Sequence, residues 1–143
     1  MSPAITKKTV RNVLDELTAT DLMTPNPLSI RADASIPDAE RFLTEKGLSG
    51  AVVIDEAGLP LGVLSVSDLL IHHCEEQAKY KESARKVRVS DLMTPVVFSV
   101  RTDESARKVV EQMNALKVHR LFVREHERVI GVISALDVLR KLV

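Results

Sequence analysis

The chain has 143 residues and a mass of 15.8 kDa, and its 45% apolar and 28% charged side chains exclude disorder and collagen-like structure. Twenty basic and twenty acidic residues cancel, with a pI near 6.9, so no long-range field draws the protein to duplex nucleic acid or to an anionic membrane. A single cysteine, Cys74, excludes an intrachain disulfide, while no Trp, one Tyr and three Phe require an aliphatic core and leave single-stranded nucleic acid no platform on which to stack.

The first residues, 1–8, carry charge but no apolar segment of the signal-peptide kind. No later run approaches the roughly 20 apolar residues that span a bilayer. A soluble, cytoplasmic protein is the expectation, with neither nucleic acid nor membrane as partner. Val10, Val13, Leu14 and Leu17 recur at helical spacing and predict a helix within an N-terminal extension over residues 1–18. Its apolar stripe is expected to pack across the rest of the chain or a dimer partner.

Asp21-Leu22-Met23-Thr24-Pro25 then opens a segment that returns as Asp91-Leu92-Met93-Thr94-Pro95, a shift of 70 residues. Nine of the fifteen positions from Asp21 to Ser35 are identical to those from Asp91 to Ser105, so the chain is an internal duplication. Domain one is expected over 19–74 and domain two over 89–143, each reading as strand, helix, two strands, helix.

In the first repeat Ser35 followed by Asp38 marks a helix start. Ile36, Ala39, Phe42 and Leu43 lie on one face, and Gly47 suits the stop. Ala51–Ile54 and Leu61–Leu64 are β-prone runs joined by a turn at residues 55–58, and a closing helix is predicted from Ser65. His72, His73, Cys74, Glu75 and Glu76 have metal-ligand chemistry, but only His72 and Glu76 share a helical face, so no metal site is expected. Residues 75–88 lack Gly and Pro and predict a polar helical linker. In the second repeat Ser105 caps a helix bearing Ala106, Val109, Val110, Met113 and Leu116. Leu121–Val123 and Val129–Ile133 form the second hairpin, and a helix from Ser134 carries Leu136, Val138, Leu139 and Leu142 to the end of the chain. Each repeat alone is too short for a self-sufficient core, so the two are expected to fold as one unit.

The doubled Asp-Leu-Met-Thr-Pro openings, the 70-residue spacing, and the doubled Gly-x-x-Ser-x-x-Asp closings at Gly62, Ser65, Asp68 and at Gly131, Ser134, Asp137 resemble a tandem pair of CBS domains, a Bateman module. Residues 117–142 are also similar to a repeat of the gamma subunit of AMP-activated protein kinase, where a His-Arg pair precedes an apolar strand as His119-Arg120 does here. The resemblance implies an α+β fold with two sheets packed face to face about a pseudo-twofold axis. It also implies a cleft for an adenosyl compound such as AMP, ADP, ATP or S-adenosylmethionine, with no obligatory cofactor.

Carried onto this chain, Asp68 and Asp137 would take the ribose hydroxyls, since a carboxylate makes strong, charge-assisted bonds to them. Ser65 and Ser134 would meet phosphate at helix N-termini, although the same Ser-x-x-Asp spacing is a capping box that needs no ligand. His119 and Arg120 would reach phosphates; the open alternatives are a helix-capping histidine and a solvated cation. Ser49-Gly50 stands in their place in repeat one, so the two sites are expected to be unequal. Thr94, Pro95, Val96 and Val97 would line the purine pocket, as would Thr24 and Pro25 in the other opening, with Leu121 and Ile133 as further aliphatic neighbours or simply core. Asn26-Pro27 removes a backbone donor and weakens the pocket at that opening.

No nucleophile elbow, phosphate loop or metal triad is present, so no catalytic role is expected. Two functions remain: a sensor that regulates a target protein in trans, and a constitutive interaction or assembly scaffold with an empty cleft. A homodimer through the helical faces is expected for either.

Overall fold

Strand Ser29–Arg31 (β2), helix Ile36–Lys46 (α2), strands Gly50–Ile54 (β3) and Pro60–Ser65 (β4), and helix Val66–Glu76 (α3) follow one another as the first repeat predicts. The second repeat runs Ser99–Arg101 (β5), Ala106–Leu116 (α5), Arg120–Glu125 (β6), Arg128–Ser134 (β7) and Ala135–Arg140 (α6). Ahead of the first lie a short helix Ala19–Leu22 (α1) and a two-residue strand Thr24–Pro25 (β1), and ahead of the second a helix Val89–Leu92 (α4). The computed structural model describes residues 13–76 and 87–143. The expected linker helix therefore falls mostly outside the described residues, as does Val10 of the N-terminal stripe.

Local chemistry sets the helix ends. The Ser35 hydroxyl accepts from the Asp38 amide (3.2 Å), Pro37 occupies the first turn where its missing N–H costs nothing, and Gly47 closes α2 in the left-handed conformation at φ 64°. Ser105 caps α5 in the same way through the Lys108 amide (3.2 Å). There the left-handed stop is Lys117, at φ 58°, with no glycine to relieve it. The last helix ends at Arg140, a turn short of its expected reach, with Lys141 as cap.

The sequence repeats and the compact units are cut differently. One compact unit is Leu28–Val97; the other joins the described residues up to Pro27 with Phe98–Val143. In the first, β3 lies between β2 and β4, parallel to β2 (Ser29 beside Val52) and antiparallel to β4 (Ala51 beside Leu64). Ile30, Ile36, Ala39, Leu43, Ala51, Val53, Leu64 and Leu69 are buried together, and Val89 of α4 joins them. In the second, the order is β1-β7-β6-β5. Ala106, Val109, Met113, Leu121, Val123, Ile133 and Val138 form the core with Ala19 and Leu22 of α1. Residues 13–16 are helical, and Leu14 and Leu17 pack against this same core, so the described part of the N-terminal stripe is used within the chain.

The openings are thus exchanged. The Asp-Leu-Met-Thr-Pro of repeat one sits on the sheet of repeat two: Thr24 and Pro25 pair with Val132 and Gly131, and the amides of Ala19 and Thr20 donate to the carbonyls of Glu104 (2.8 Å) and Thr102 (3.2 Å). The opening of repeat two sits on the sheet of repeat one. Thr94 and Val63 exchange two backbone hydrogen bonds of 2.9 Å, and Val89 and Ser90 donate to Ala34 (3.1 Å) and Ala32 (3.0 Å). Asp21 and Asp91 fasten these segments by accepting from the amides of Thr18 (2.9 Å) and Arg88 (2.8 Å). The hydrogen bonds from Thr18 hold the Asp21 carboxyl below its ordinary range.

Candidate functional site

A strand that ends in Ser and turns directly into a helix leaves its last amides near solvent, and both repeats close that end with their own side chains. In the second unit the Ser134 amide donates to Asp137 Oδ2 (2.8 Å) and the Asp137 amide to Ser134 Oγ (3.1 Å). In the first unit Ser65 and Asp68 do the same at 2.8 and 3.2 Å. These are reciprocal capping boxes. Ala135 and Val66, next in chain, donate to the carbonyls of His119 (2.8 Å) and Ser49 (2.9 Å). The amides of Ser134, Ala135 and Asp137, and of Ser65, Val66 and Asp68, are therefore already engaged by the chain, while each serine hydroxyl proton and the second oxygen of each aspartate stay outside these bonds.

Those oxygens differ. Asp137 Oδ1 lies 3.9 Å from Arg140 Nη1, with the carboxylate 23% exposed; Asp68 Oδ1 has no ion-pair partner among the described residues. Both carboxylates stay half-buried at the base of a helix, held in one rotamer by the cap and open on one side. Such an oxygen accepts a hydroxyl pair without losing its structural bond.

His119 and Arg120 stand beside Ser134: Arg120 is its cross-strand partner, and both basic residues are exposed. Thr24 and Pro25 complete this side by pairing two and three residues upstream of Ser134, against Val132 and Gly131. In the first unit the equivalent place holds Ser49 and Gly50, with Gly50 opposite Ser65. There the opening segment is Thr94-Pro95, followed by exposed Val96 and half-buried Val97. The expected site residues thus fall into two sets: His119, Arg120, Ser134 and Asp137 with Thr24 and Pro25, and Ser65 and Asp68 with Thr94, Pro95, Val96 and Val97. Leu121 and Ile133 are fully buried core and line no surface. The exchange of openings was hidden in the sequence, where Thr94 is nearer to Ser134 along the chain than Thr24 is. Its only local signal is Gly62 and Gly131, where a Cβ would collide with the Thr94 carbonyl oxygen and with the Met23 side chain.

The metal-ligand types around Cys74 do not converge. His73 pairs with the Glu40 carboxylate across α2 and α3, and no group of three metal-ligating side chains exists among the described residues.

Two strand-helix-strand-strand-helix repeats, each ending in a Ser–Asp capped helix with the other repeat's Met-Thr-Pro alongside, define the class of paired-repeat α+β modules. The CBS domain profile matches residues 19–73 and 89–143, and the chain belongs to the CBS domain family. The magnesium transporter MgtE of Thermus thermophilus is 30% identical over 131 residues, covering 87% of this chain and 27% of that protein. Inosine-5'-monophosphate dehydrogenase of Methanocaldococcus jannaschii is 27% identical over 128 residues, or 89% of this chain and 23% of that enzyme. The chain thus spans about a quarter of the length of these curated relatives. Among solved structures, CBSX2 in complex with AMP superposes with a TM-score of 0.74 at 32% identity, covering 86% of this chain and 93% of that one. A CBS domain pair solved with 5'-methylthioadenosine and S-adenosyl-L-methionine shares the fold at a TM-score of 0.71 and 20% identity, over 87% and 94% of the two chains.

Proposed function

We propose that this chain is a regulatory module that binds an adenosyl compound, of the AMP, ADP, ATP or S-adenosylmethionine type, and through its occupancy modulates a partner protein in trans. The observation that carries this reading is the similarity to the AMP complex of CBSX2 at 32% identity over 86% of the chain. The side chains supply a chemistry that fits. Asp137 accepts the ribose hydroxyls on the oxygen not engaged by the cap, Ser134 offers its hydroxyl proton, and His119 and Arg120 take the phosphate, Arg120 with a permanent charge and a planar fork of donors. Thr24 and Pro25 flank the base.

Asp68 and Ser65, with Thr94, Pro95, Val96 and Val97, form the second and weaker set, because Ser49 and Gly50 provide no cation. Regulation then consists of differential affinity: the ligand favours whichever arrangement of the module binds it better, by no more than the difference in binding free energy. No catalytic step is assigned to the chain.

Titration calorimetry with AMP, ADP, ATP and S-adenosylmethionine tests the reading. One compound is expected to bind with a single dominant step, and Asp137→Ala to weaken it at least about tenfold, the loss of a charge-assisted pair. Asp68→Ala should change it far less. Because Asp137 also caps α6, its replacement costs about 1 kcal/mol of stability, so binding is compared well below both unfolding midpoints. Equal affinity in wild type and Asp137→Ala would sink the assignment. The capping boxes, complete without any ligand, favour one second reading, a constitutive interaction or assembly scaffold, and absence of binding by all four compounds would select it.

A further inference from the structure

Far from Ser134, at the hairpin end of the same sheet, the second repeat departs from the first in charge. In repeat one, Arg31 of β2 lies beside Ile54 of β3 and is neutralised twice, by Asp33 (3.0 Å) and by Glu56 (3.8 Å). In repeat two, Arg101 of β5 lies beside Arg124 of β6, and the place of Glu56 is taken by His126. Arg101 keeps the counterpart of the first pair, to Asp103 at 3.4 Å, and nothing among the described residues replaces the second. Parallel partners stand about 4.8 Å apart with side chains on one face of the sheet, so the two arginine side chains leave the sheet as neighbours. Like charges in that position are destabilising unless something of opposite sign lies over them.

Arg124 has no such partner among the described residues. Its guanidinium makes no hydrogen bond or ion pair among the described residues, and its Nε is shut away from water, the one buried side-chain polar atom there without a partner. An orphaned donor of this kind is unfavourable. Beside it opens a cavity of about 710 Å³ lined by Arg101, Arg124, His126, Ser99, Thr102 and Gln112. Asp103, Glu104 and Glu125 also border the cavity; Asp103 is bonded to Arg101, and neither glutamate pairs with Arg124. We infer that this cavity is a binding site for a small oxyanion, phosphate- or carboxylate-headed, gripped by Arg101 and Arg124 together. The site lies about 13 Å along β6 from Arg120, the residue opposite Ser134, four residues of extended strand, and is independent of the proposed adenosyl site. The planar forks of two adjacent arginines suit an anion with several oxygens, and the hydroxyls of Ser99 and Thr102 add neutral donors.

The test uses the full chain with inorganic phosphate and, separately, acetate, each against sodium chloride at equal ionic strength. The side-chain Nε–H signal of Arg124 is followed by nuclear magnetic resonance, and the unfolding midpoint by thermal melting. A saturable shift of that signal in the millimolar range, with a raised midpoint, is expected for one of the two anions, and which one names the headgroup. Arg124→Ile, which installs the residue that repeat one has there, should abolish the rise in midpoint, and Arg124→Lys should weaken binding about tenfold by removing the fork. Asp137→Ala should leave the response intact, which separates this site from the nucleotide reading. An Arg124 signal indifferent to both anions, or one that moves no more than it does with chloride, overturns the proposal. So does an equal rise in midpoint for wild type and Arg124→Ile.

Discussion

Gly62 and Gly131 hold the same place in the two repeats, and each lies under a Met-Thr segment arriving from the other repeat. At Gly62 an added Cβ meets the Thr94 carbonyl oxygen, with Met93 Sδ at 3.0 Å; at Gly131 its nearest neighbours are the side-chain atoms of Met23, whose Cβ lies 2.9 Å away. The Thr94 carbonyl oxygen accepts from the Val63 amide in a segment that this pair of bonds holds in place, whereas Met23 Sδ and Cγ can turn aside and only its Cβ must shift with the backbone. Gly62→Ala is therefore expected to cost about 3 kcal/mol and Gly131→Ala about 1–2 kcal/mol, the range of overpacking, read from urea unfolding at constant slope. Equal costs would mean that the two openings yield alike. The Ser–Asp caps at the same strand ends were legible from sequence, because three residues of spacing determine both hydrogen bonds. The partner of each glycine was not, since it lies some thirty residues or more away on a segment with its own strong local pattern.

Helix ends show how far local chemistry reaches at the scale of the element. Start signals at Ser35 and Ser105 and the stop at Gly47 were read from residue type, and each forms the predicted bond or turn. The stop at Lys117 had no such signal: α5 ends there because the chain must turn into β6, and a lysine is held at φ 58°. Lys117→Gly removes the clash of Cβ with the following carbonyl at some cost in unfolded-state entropy, so a net gain of about 0.5–1 kcal/mol is expected. Gly47→Ala, in open space but at φ 64°, should lose about 1 kcal/mol. Thermal or chemical unfolding of the two variants checks the pair, and a loss on Lys117→Gly would contradict the argument. The short length of β1 and the existence of α1 and α4 escaped the sequence reading, because four residues carry too little periodicity to announce a helix.

At the scale of the molecule, each unit leaves an apolar helical surface to account for. Leu70 and Ile71 of α3 are 60% and 56% exposed, and Leu136 and Leu139 of α6 are 52% and 55%. A groove of about 570 Å³ between α5 and α6, lined by Val110, Met113, Val118, Val138, Leu139 and Leu142 among others, continues that surface in its unit. Apolar area of this kind on a small protein marks an interface, and a homodimer through the helices is expected; light scattering at micromolar concentration that returns 15.8 kDa would refute it. Among the described residues no helix is long and apolar enough to cross a membrane.

The sequence by itself determined the duplication, the order of elements in each repeat, the capped helices and the family, because each of these is written in spacings of a few residues or in direct repetition. Tertiary structure alone decided which opening accompanies which Ser–Asp pair, and that Arg101 and Arg124 stand side by side. Both are pairings between segments distant along the chain, and they are set by strand register and by where a missing Cβ lets two backbones approach, quantities that no single segment encodes.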